Sequence, residues 1–236
     1  MLNNKRFIAI IPARGGSKGV PRKNLRLVHG TSLLAHAIAT AKQSQFIDRV
    51  IVSSEDDEII AQSKLSGADV PFIRPVMLAQ DSTSGVQPII HALTELPHYD
   101  YVVVLQVTSF LRQVNDIDGC LQFIMEKNAP ACVSVTETNA HPCWMFEMDN
   151  QYKIKNVLPQ DIPACRQDLA KTYILNGALY VAKSSWFLEN KTFISPDTIA
   201  YEMPKERSLD IDTEFDFHLL DAYINYAKKK AAYEQS

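Results

Sequence analysis

Hydrophobic positions along the chain switch between two spacings. Compact apolar runs rich in β-branched and aromatic residues fall at 7–11, 50–52, 101–106, 131–136 and 178–182, and each reads as a strand. The stretch YVVVLQ at 101–106 lacks polar alternation, as a central strand buried on both faces would. Elsewhere apolar residues recur three and four apart. Leu33, Leu34, Ala37, Ile38 and Ala41 place a helix over 32–43, capped by Thr31 or Ser32. Further helices are predicted from 55 to about 65, near 86–96, near 117–126 and from about 214 to 230. Glu55, Asp56, Asp57 and Glu58 open the second helix, where carboxylates complement the macrodipole, and nothing more is needed to explain them. Strands alternating with helices predict an α/β fold with a mostly parallel, layered sheet. Residues 139–172 break the rhythm with three prolines, three aromatic residues and no clear period. They read as an insertion that packs on something else, such as a second subunit.

At 236 residues and 46% hydrophobic, the chain can bury a core without staples. No apolar run reaches the roughly 18–20 residues that span a bilayer. The start KRFIAIIPA is too short an apolar stretch for a signal peptide, and Arg14 and Lys18 follow it. The expectation is a cytoplasmic protein with no membrane partner. Four cysteines without a CxxC pair and six histidines without HExxH predict reduced thiols and no structural metal.

Charge is unevenly spread. Residues 1–47 hold eight Lys or Arg and no Asp or Glu, leaving sixteen basic against twenty-seven acidic residues in the remainder. An anionic partner for the first segment follows. No basic helix face or aromatic-rich RNA signature is present, so a small polyanion fits better than nucleic acid.

The loop after the first strand, IPARGGSKGVPRKN at 11–24, is the candidate cradle. Gly15, Gly16 and Gly19 let backbone N–H groups approach an anion, with positive φ available to them. Arg14, Lys18, Arg22 and Lys23 add charge at a strand's carboxyl end, where open α/β sheets bind ligands. Neither GxGxxG nor GxxxxGK[ST] is present, so the loop is neither a dinucleotide fingerprint nor a Walker A loop. Asp210 and Asp212 flank Ile211, and in an extended segment they share a face that suits Mg²⁺. The same residues also fit a turn before the last helix, capped by Asp212 or Thr213. A DxDxT phosphatase motif is opposed by Glu214 and by the short chain that remains. Gln106 ends the central strand with an amide suited to sugar hydroxyls or a base edge. In Asn176-Gly177-Ala178 a glycine at a strand start marks close approach, and Tyr180 shares a face with Ala178.

Taken with RPVMLAQDSTS at 74–84, LQVTSFLR at 105–112, YILNGALY at 173–180 and SLDIDTEFDF at 208–217, the loop resembles the acylneuraminate cytidylyltransferases along nearly the whole chain. The resemblance implies a three-layer, Rossmann-like nucleotidyltransferase. Its catalytic domain would comprise 1–139 and 176–236, with a dimerisation insertion at 140–175. The reaction would transfer CMP from CTP to a nonulosonic acid, N-acetylneuraminic acid or a relative, releasing pyrophosphate. Arg14, Lys23 and Asp212 would be catalytic, with Mg²⁺ on Asp210 and Asp212. Gly16, Ser17, Lys18, Asn24, Arg74, Asp81, Ser82 and Ser84 would join Arg14 and Lys23 on the nucleotide. Gln106, Arg166, Asn176 and Tyr180 would hold the sugar, Arg166 from across a homodimer.

Two departures mark the chain. Val107 and Phe110 stand where the family more often has prolines, which leaves loop rigidity open. His141-Pro142 is followed by Cys143-Trp144 where sialic acid enzymes commonly carry a Lys, which points to a less polar sugar such as legionaminic acid. Kdo cytidylyltransferases resemble the chain less, because their loop lacks GGSKG…KN. Another acidic sugar such as Kdo, an aspartate-nucleophile phosphatase and a non-catalytic nucleotide-binding module remain the alternatives.

Overall fold

The computed structural model describes residues 2–158 and 169–234. Strand β1 (Phe7–Pro12) runs into the cationic loop, and a small hairpin of β2 (Leu27–Val28) and β3 (Thr31–Ser32) leads to α1 (Leu33–Lys42). Ser32 caps α1 by accepting from Ala35 N–H. Then follow β4 (Ile47–Ser53), α2 (Asp57–Leu65), α3 (Gln87–Glu95), β5 (Tyr101–Leu105), α4 (Val114–Lys127) and β6 (Ala131–Glu137). Beyond β6 come a hairpin of β7 (Phe146–Met148) and β8 (Ile154–Asn156), then β9 (Tyr173–Lys183), α5 (Ser184–Asn190), β10 (Ile199–Glu202) and α6 (Glu214–Glu234).

Six strands form one sheet in the order β10-β6-β9-β5-β1-β4. β1 pairs in parallel with β4 and β5, and β10 with β6, whereas β9 runs antiparallel to both β5 and β6. The expectation of a mostly parallel sheet is therefore refined to a mixed one. β9 is also longer than its apolar core suggested: Asn176 and Gly177 lie inside the strand, near a register irregularity opposite Val133 and Val135.

The alternation of side chains along β1 sorts the core into two layers. Phe7, Ala9 and Ile11 pack with Leu34 of α1, Leu121 of α4 and Leu220 of α6. Ile8 and Ile10 pack on the other face with Ile89 of α3 and Phe187 of α5. Every residue of β5 is buried, and a Val, Leu or Ile removed from water in this way contributes roughly 1.5–3 kcal/mol. Helices thus cover both faces of the sheet. Among the described residues no helix is long and apolar enough to cross a membrane.

Within 139–172 the described residues form a short 3-10 turn at Pro142–Trp144 and the β7–β8 hairpin. Met148, Tyr152 and Ile154 of the hairpin are exposed, as is Ile174 at the start of β9. Cys120 and Cys132 are buried thiols, with their Sγ atoms 3.7 Å apart.

Candidate functional site

A cleft of about 640 Å³ opens beyond the carboxyl ends of β1 and β5. Arg14, Ser17, Lys18, Lys23 and Asn24 line one side of it. Arg74, Asp81, Gln106, Asp210 and Asp212 come to the same space from three other segments. Gly16 lines an adjoining recess with Arg14, Ser17, Lys18 and Asp81.

The loop after β1 is shaped by its anchors. None of Gly15, Gly16 or Gly19 adopts a left-handed backbone, contrary to the use of positive φ expected of them; Arg22 does, at φ 55°. Gly19 instead supplies room, because a Cβ there would lie 2.1 Å from the Asp212 carbonyl oxygen. Val20 is fully buried beneath the loop, and Asn24 Nδ2 donates to the Arg14 carbonyl at 2.9 Å. The turn Lys23–Leu25 sends the Lys23 ammonium towards the acidic segment. Its Nζ donates to the Ile211 carbonyl at 2.7 Å and to Asp212 Oδ1 at 2.8 Å. Arg22 turns the other way, to Asp56 at 2.5 Å and to Glu58, and does not line the cleft.

Across the cleft, Asp81 bridges Lys18 at 3.1 Å and Arg14 at 2.7 Å. Lys18 first and Arg14 second hold its carboxyl below the ordinary aspartate range. Asp81, Thr83 and Gly85 line the cleft, while Ser82 and Ser84 are exposed and do not. Successive side chains here leave the backbone in different directions, and of the predicted Asp81, Ser82 and Ser84 only Asp81 lines the cleft.

Beyond β5 the segment that lacks the two prolines is fixed by other means. Val107 is buried, and the Phe110 ring stacks on His36 with centroids 4.0 Å apart. Arg112 is 2% exposed and donates from Nη1 to the carbonyls of Gln106 (3.1 Å) and Ala178 (2.7 Å). Burial lowers its pKa to about 10. The guanidinium thereby ties the strand end carrying Gln106 to β9.

Asp210 is crowded by protein although its side chain reaches the cleft. That crowding, with the negative charges of Asp212 and Asp216, raises its pKa; a hydrogen bond with Thr108 and the charge of Lys23 oppose the shift. The segment is held in place from behind. Arg207 clamps the buried Asp116 carboxylate with Nε at 2.9 Å and Nη2 at 2.7 Å. Asp216 then accepts from the backbone N–H groups of Asp212 (3.0 Å) and Thr213 (2.7 Å) at the start of α6. Two carboxylates are too few to cage a cation alone, but they fit Mg²⁺, which keeps phosphate oxygens and water as further ligands. Among the described residues no group of three or more His, Cys, Asp or Glu could hold a metal ion by itself.

The residues predicted for the sugar divide. Gln106 lines the cleft, half-buried. Asn176 and Tyr180 do not line it. Asn176 is a buried strut: its Oδ1 accepts from Ser134 Oγ at 2.6 Å and from Ala178 N–H at 3.2 Å, and its Nδ2 donates to Ser208 Oγ at 2.9 Å. Tyr180 packs on Phe193, and burial, then the charge of Asp210, raises the pKa of its hydroxyl. Arg166 lies outside the described residues.

Sequence reasoning missed Thr108, Asp116 and Arg207, which no spacing marks. It also took Glu55 for part of a helix start. The helix begins at Asp57 with Asp56 as its cap, and Glu55 precedes it with both carboxylate oxygens engaged elsewhere. Arg112 stood inside a matched motif without a role.

Residues 8–195 match the family model described as Cytidylyltransferase. A CMP-N,N'-diacetyllegionaminic acid synthase of Legionella pneumophila is 34% identical over 223 residues, covering 92% of this chain and 95% of that protein. An N-acylneuraminate cytidylyltransferase of Escherichia coli O18:K1:H7 is 34% identical over 215 residues, covering 91% of this chain and 51% of that protein, so the chain spans about half its length. A solved CMP:2-keto-3-deoxy-manno-octonic acid synthetase complexed with CTP shares the fold. Its TM-score is 0.72 at 16% identity, over 94% of this chain and 99% of that one. With four of its five motifs brought to one cleft and its similarity running nearly end to end, the chain belongs to the acylneuraminate and nonulosonate cytidylyltransferase family, whose reaction moves CMP from CTP to an acidic sugar.

Proposed function

We propose that the acceptor is a nonulosonic acid of the legionaminic type, and that the protein works as a Mg²⁺-dependent homodimer in the cytoplasm. The observation that carries the reading is the cleft itself. It brings Arg14, Lys18 and Lys23 together with Gln106, Asp210 and Asp212 in one space. Family membership removes the phosphatase and the non-catalytic module from consideration. The acceptor assignment draws on the similarity to the Legionella protein and on Trp144, which puts apolar area where a Lys is common.

In this reading the sugar's anomeric hydroxyl attacks the α-phosphorus of CTP in line and gives up its proton to solvent. The bond to the bridging oxygen breaks, and pyrophosphate leaves. Arg14 and Lys18 exchange Asp81 for phosphate oxygens, a swap among charge-assisted bonds of the same kind. Lys23 exchanges Asp212 for the phosphate. Asp210 and Asp212 would hold Mg²⁺, which when bound supplies charge neutralisation and polarises phosphate oxygens. Thr108, Arg207 and Asp216 keep the acidic segment in place. Catalysis then rests on positioning and electrostatic stabilisation. Gln106 would face the sugar, with Arg166 of the second protomer on its carboxylate. The exposed apolar hairpin supports an interface at this place.

The test is a pyrophosphate-release screen crossing four nucleoside triphosphates with N-acetylneuraminic, legionaminic, pseudaminic and Kdo acids. Release with CTP and a legionaminic acid at the highest kcat/KM supports the reading. A preference for Kdo or for another triphosphate overturns it.

A further inference from the structure

Glu55 joins two parts of the cleft that belong to different segments. Its Oε1 accepts from the Gly15 N–H at 2.8 Å, inside the phosphate loop. Its Oε2 accepts from Arg74 Nε at 3.2 Å and Nη2 at 2.5 Å. Arg74 lines the cleft, and its side chain is 3% exposed against 14% for Glu55. The backbone reinforces the arrangement, since Arg74 N–H donates to the Ser54 carbonyl at 2.9 Å and Ala13 N–H to the Ser53 carbonyl at 3.1 Å. Gly15 is packed so closely on the same corner that a Cβ would meet Asp56 Oδ2 at 2.4 Å. Asp56 in turn holds Arg22 at the far end of the loop.

We infer that Glu55 is a positioning residue that couples the phosphate loop to Arg74, so that filling the phosphate end of the cleft prepares the Arg74 end for the nucleoside. The inference rests on the CTP reading above. Its physical basis is that one carboxylate uses both oxygens, one on each partner. The bonds are charge-assisted on the Arg74 side and shielded from water, where such bonds are strong. A displacement of Gly15 therefore moves the acceptor of a buried guanidinium. That guanidinium has no other carboxylate within salt-bridge distance among the described residues. A neutral side chain at 55 would leave a buried charge uncompensated, which is costly. Coupling of this kind is reciprocal: nucleoside must favour phosphate binding as much as phosphate favours nucleoside.

The experiment is calorimetry on the full chain and on Glu55→Gln and Glu55→Asp. Cytidine is titrated with and without saturating pyrophosphate, and steady-state kinetics with CTP and thermal melting run in parallel. In the natural protein, pyrophosphate should tighten cytidine binding by about fivefold or more. Both variants should lose that enhancement and raise the KM for CTP by about tenfold, with kcat at saturating CTP changed far less. Glu55→Asp keeps the charge beside Arg74 but is one methylene too short to reach both partners, so it answers the question if Glu55→Gln does not fold. A folded variant with the natural enhancement and KM overturns the inference. So does natural protein that binds CTP yet shows no enhancement, which leaves the CTP reading standing. Natural protein that binds no CTP overturns that reading and this inference together.

Discussion

The Lys23 ammonium and the Asp212 carboxylate, 189 positions apart in sequence, are bonded to each other at 2.8 Å on the lining of the cleft. A cation suited to phosphate and a carboxylate suited to a metal thus satisfy one another, and the Ile211 carbonyl holds the same ammonium at 2.7 Å.

Lys23→Ala should lower kcat by about two to three orders of magnitude, the usual loss for one preorganised charge at a transition state. Asp212 is 71% exposed, so losing its partner should cost stability less than about 1 kcal/mol. Turnover and melting temperature on the same preparation check both halves. Near-normal turnover would take Lys23 out of the machinery.

Asp212→Asn should cut Mg²⁺-dependent turnover by about a hundredfold or more while the fold is retained, because Lys23 keeps its bond to the Ile211 carbonyl. A Mg²⁺ titration of initial rates is the measurement. An unchanged midpoint and plateau would count against the metal assignment.

His36 predicts an acid limb in stability. Burial against Phe110 and the charge of Arg112 depress its pKa, while a hydrogen bond with the Phe110 backbone opposes the shift. The unfolded chain therefore takes up a proton near pH 6.5 that the folded chain refuses. This contribution is fully present above about pH 6.5 and is lost as pH falls from there through the depressed folded value. Denaturant midpoints between pH 8 and pH 5.5 should show less of this slope in His36→Gln than in the natural protein. Equal slopes would mean that other groups set the limb.

The hairpin predicts assembly. Met148 and Ile154 are 64% and 63% exposed, so Met148→Glu with Ile154→Glu should leave a protomer's own stability within about 0.5 kcal/mol. On the homodimer reading, sedimentation should then find dimer for the natural protein and monomer for the double variant. CTP binding should persist and sugar transfer should fail. A variant that remains dimeric would place the interface elsewhere.

Much of this was legible in the sequence because it is written in local patterns. β1, β5, α1 and α6 follow from apolar spacing, and the loop at 11–24 concentrates its glycines and cations in one stretch. β10 and the β7–β8 hairpin escaped notice because they are short and mostly exposed, with little apolar signal to read. Glu55 was illegible for a different reason. A carboxylate before a helix always has a sufficient local explanation, and only the fold brings Gly15 and Arg74 to its two oxygens. Asn176 went the other way, from expected sugar ligand to internal strut, because its partners Ser134 and Ser208 lie far off along the chain.

The reversed direction of β9 has a consequence for how such a protein can diversify. Because β9 runs against β6, the chain leaves the sheet after Glu137 and re-enters at Tyr173 on the same rim, and these two residues are themselves paired. A segment whose two ends are stapled side by side can lengthen, shorten or change composition at little conformational cost, since closing a longer loop adds only slowly to the free energy. Such changes leave Phe7–Pro12 and Tyr101–Leu105, and the nucleotide cradle they support, undisturbed. On the reading proposed above, in which this segment reaches the acceptor, acceptor choice and nucleotide use become separable traits, free to drift apart over evolution or to be exchanged one at a time by design.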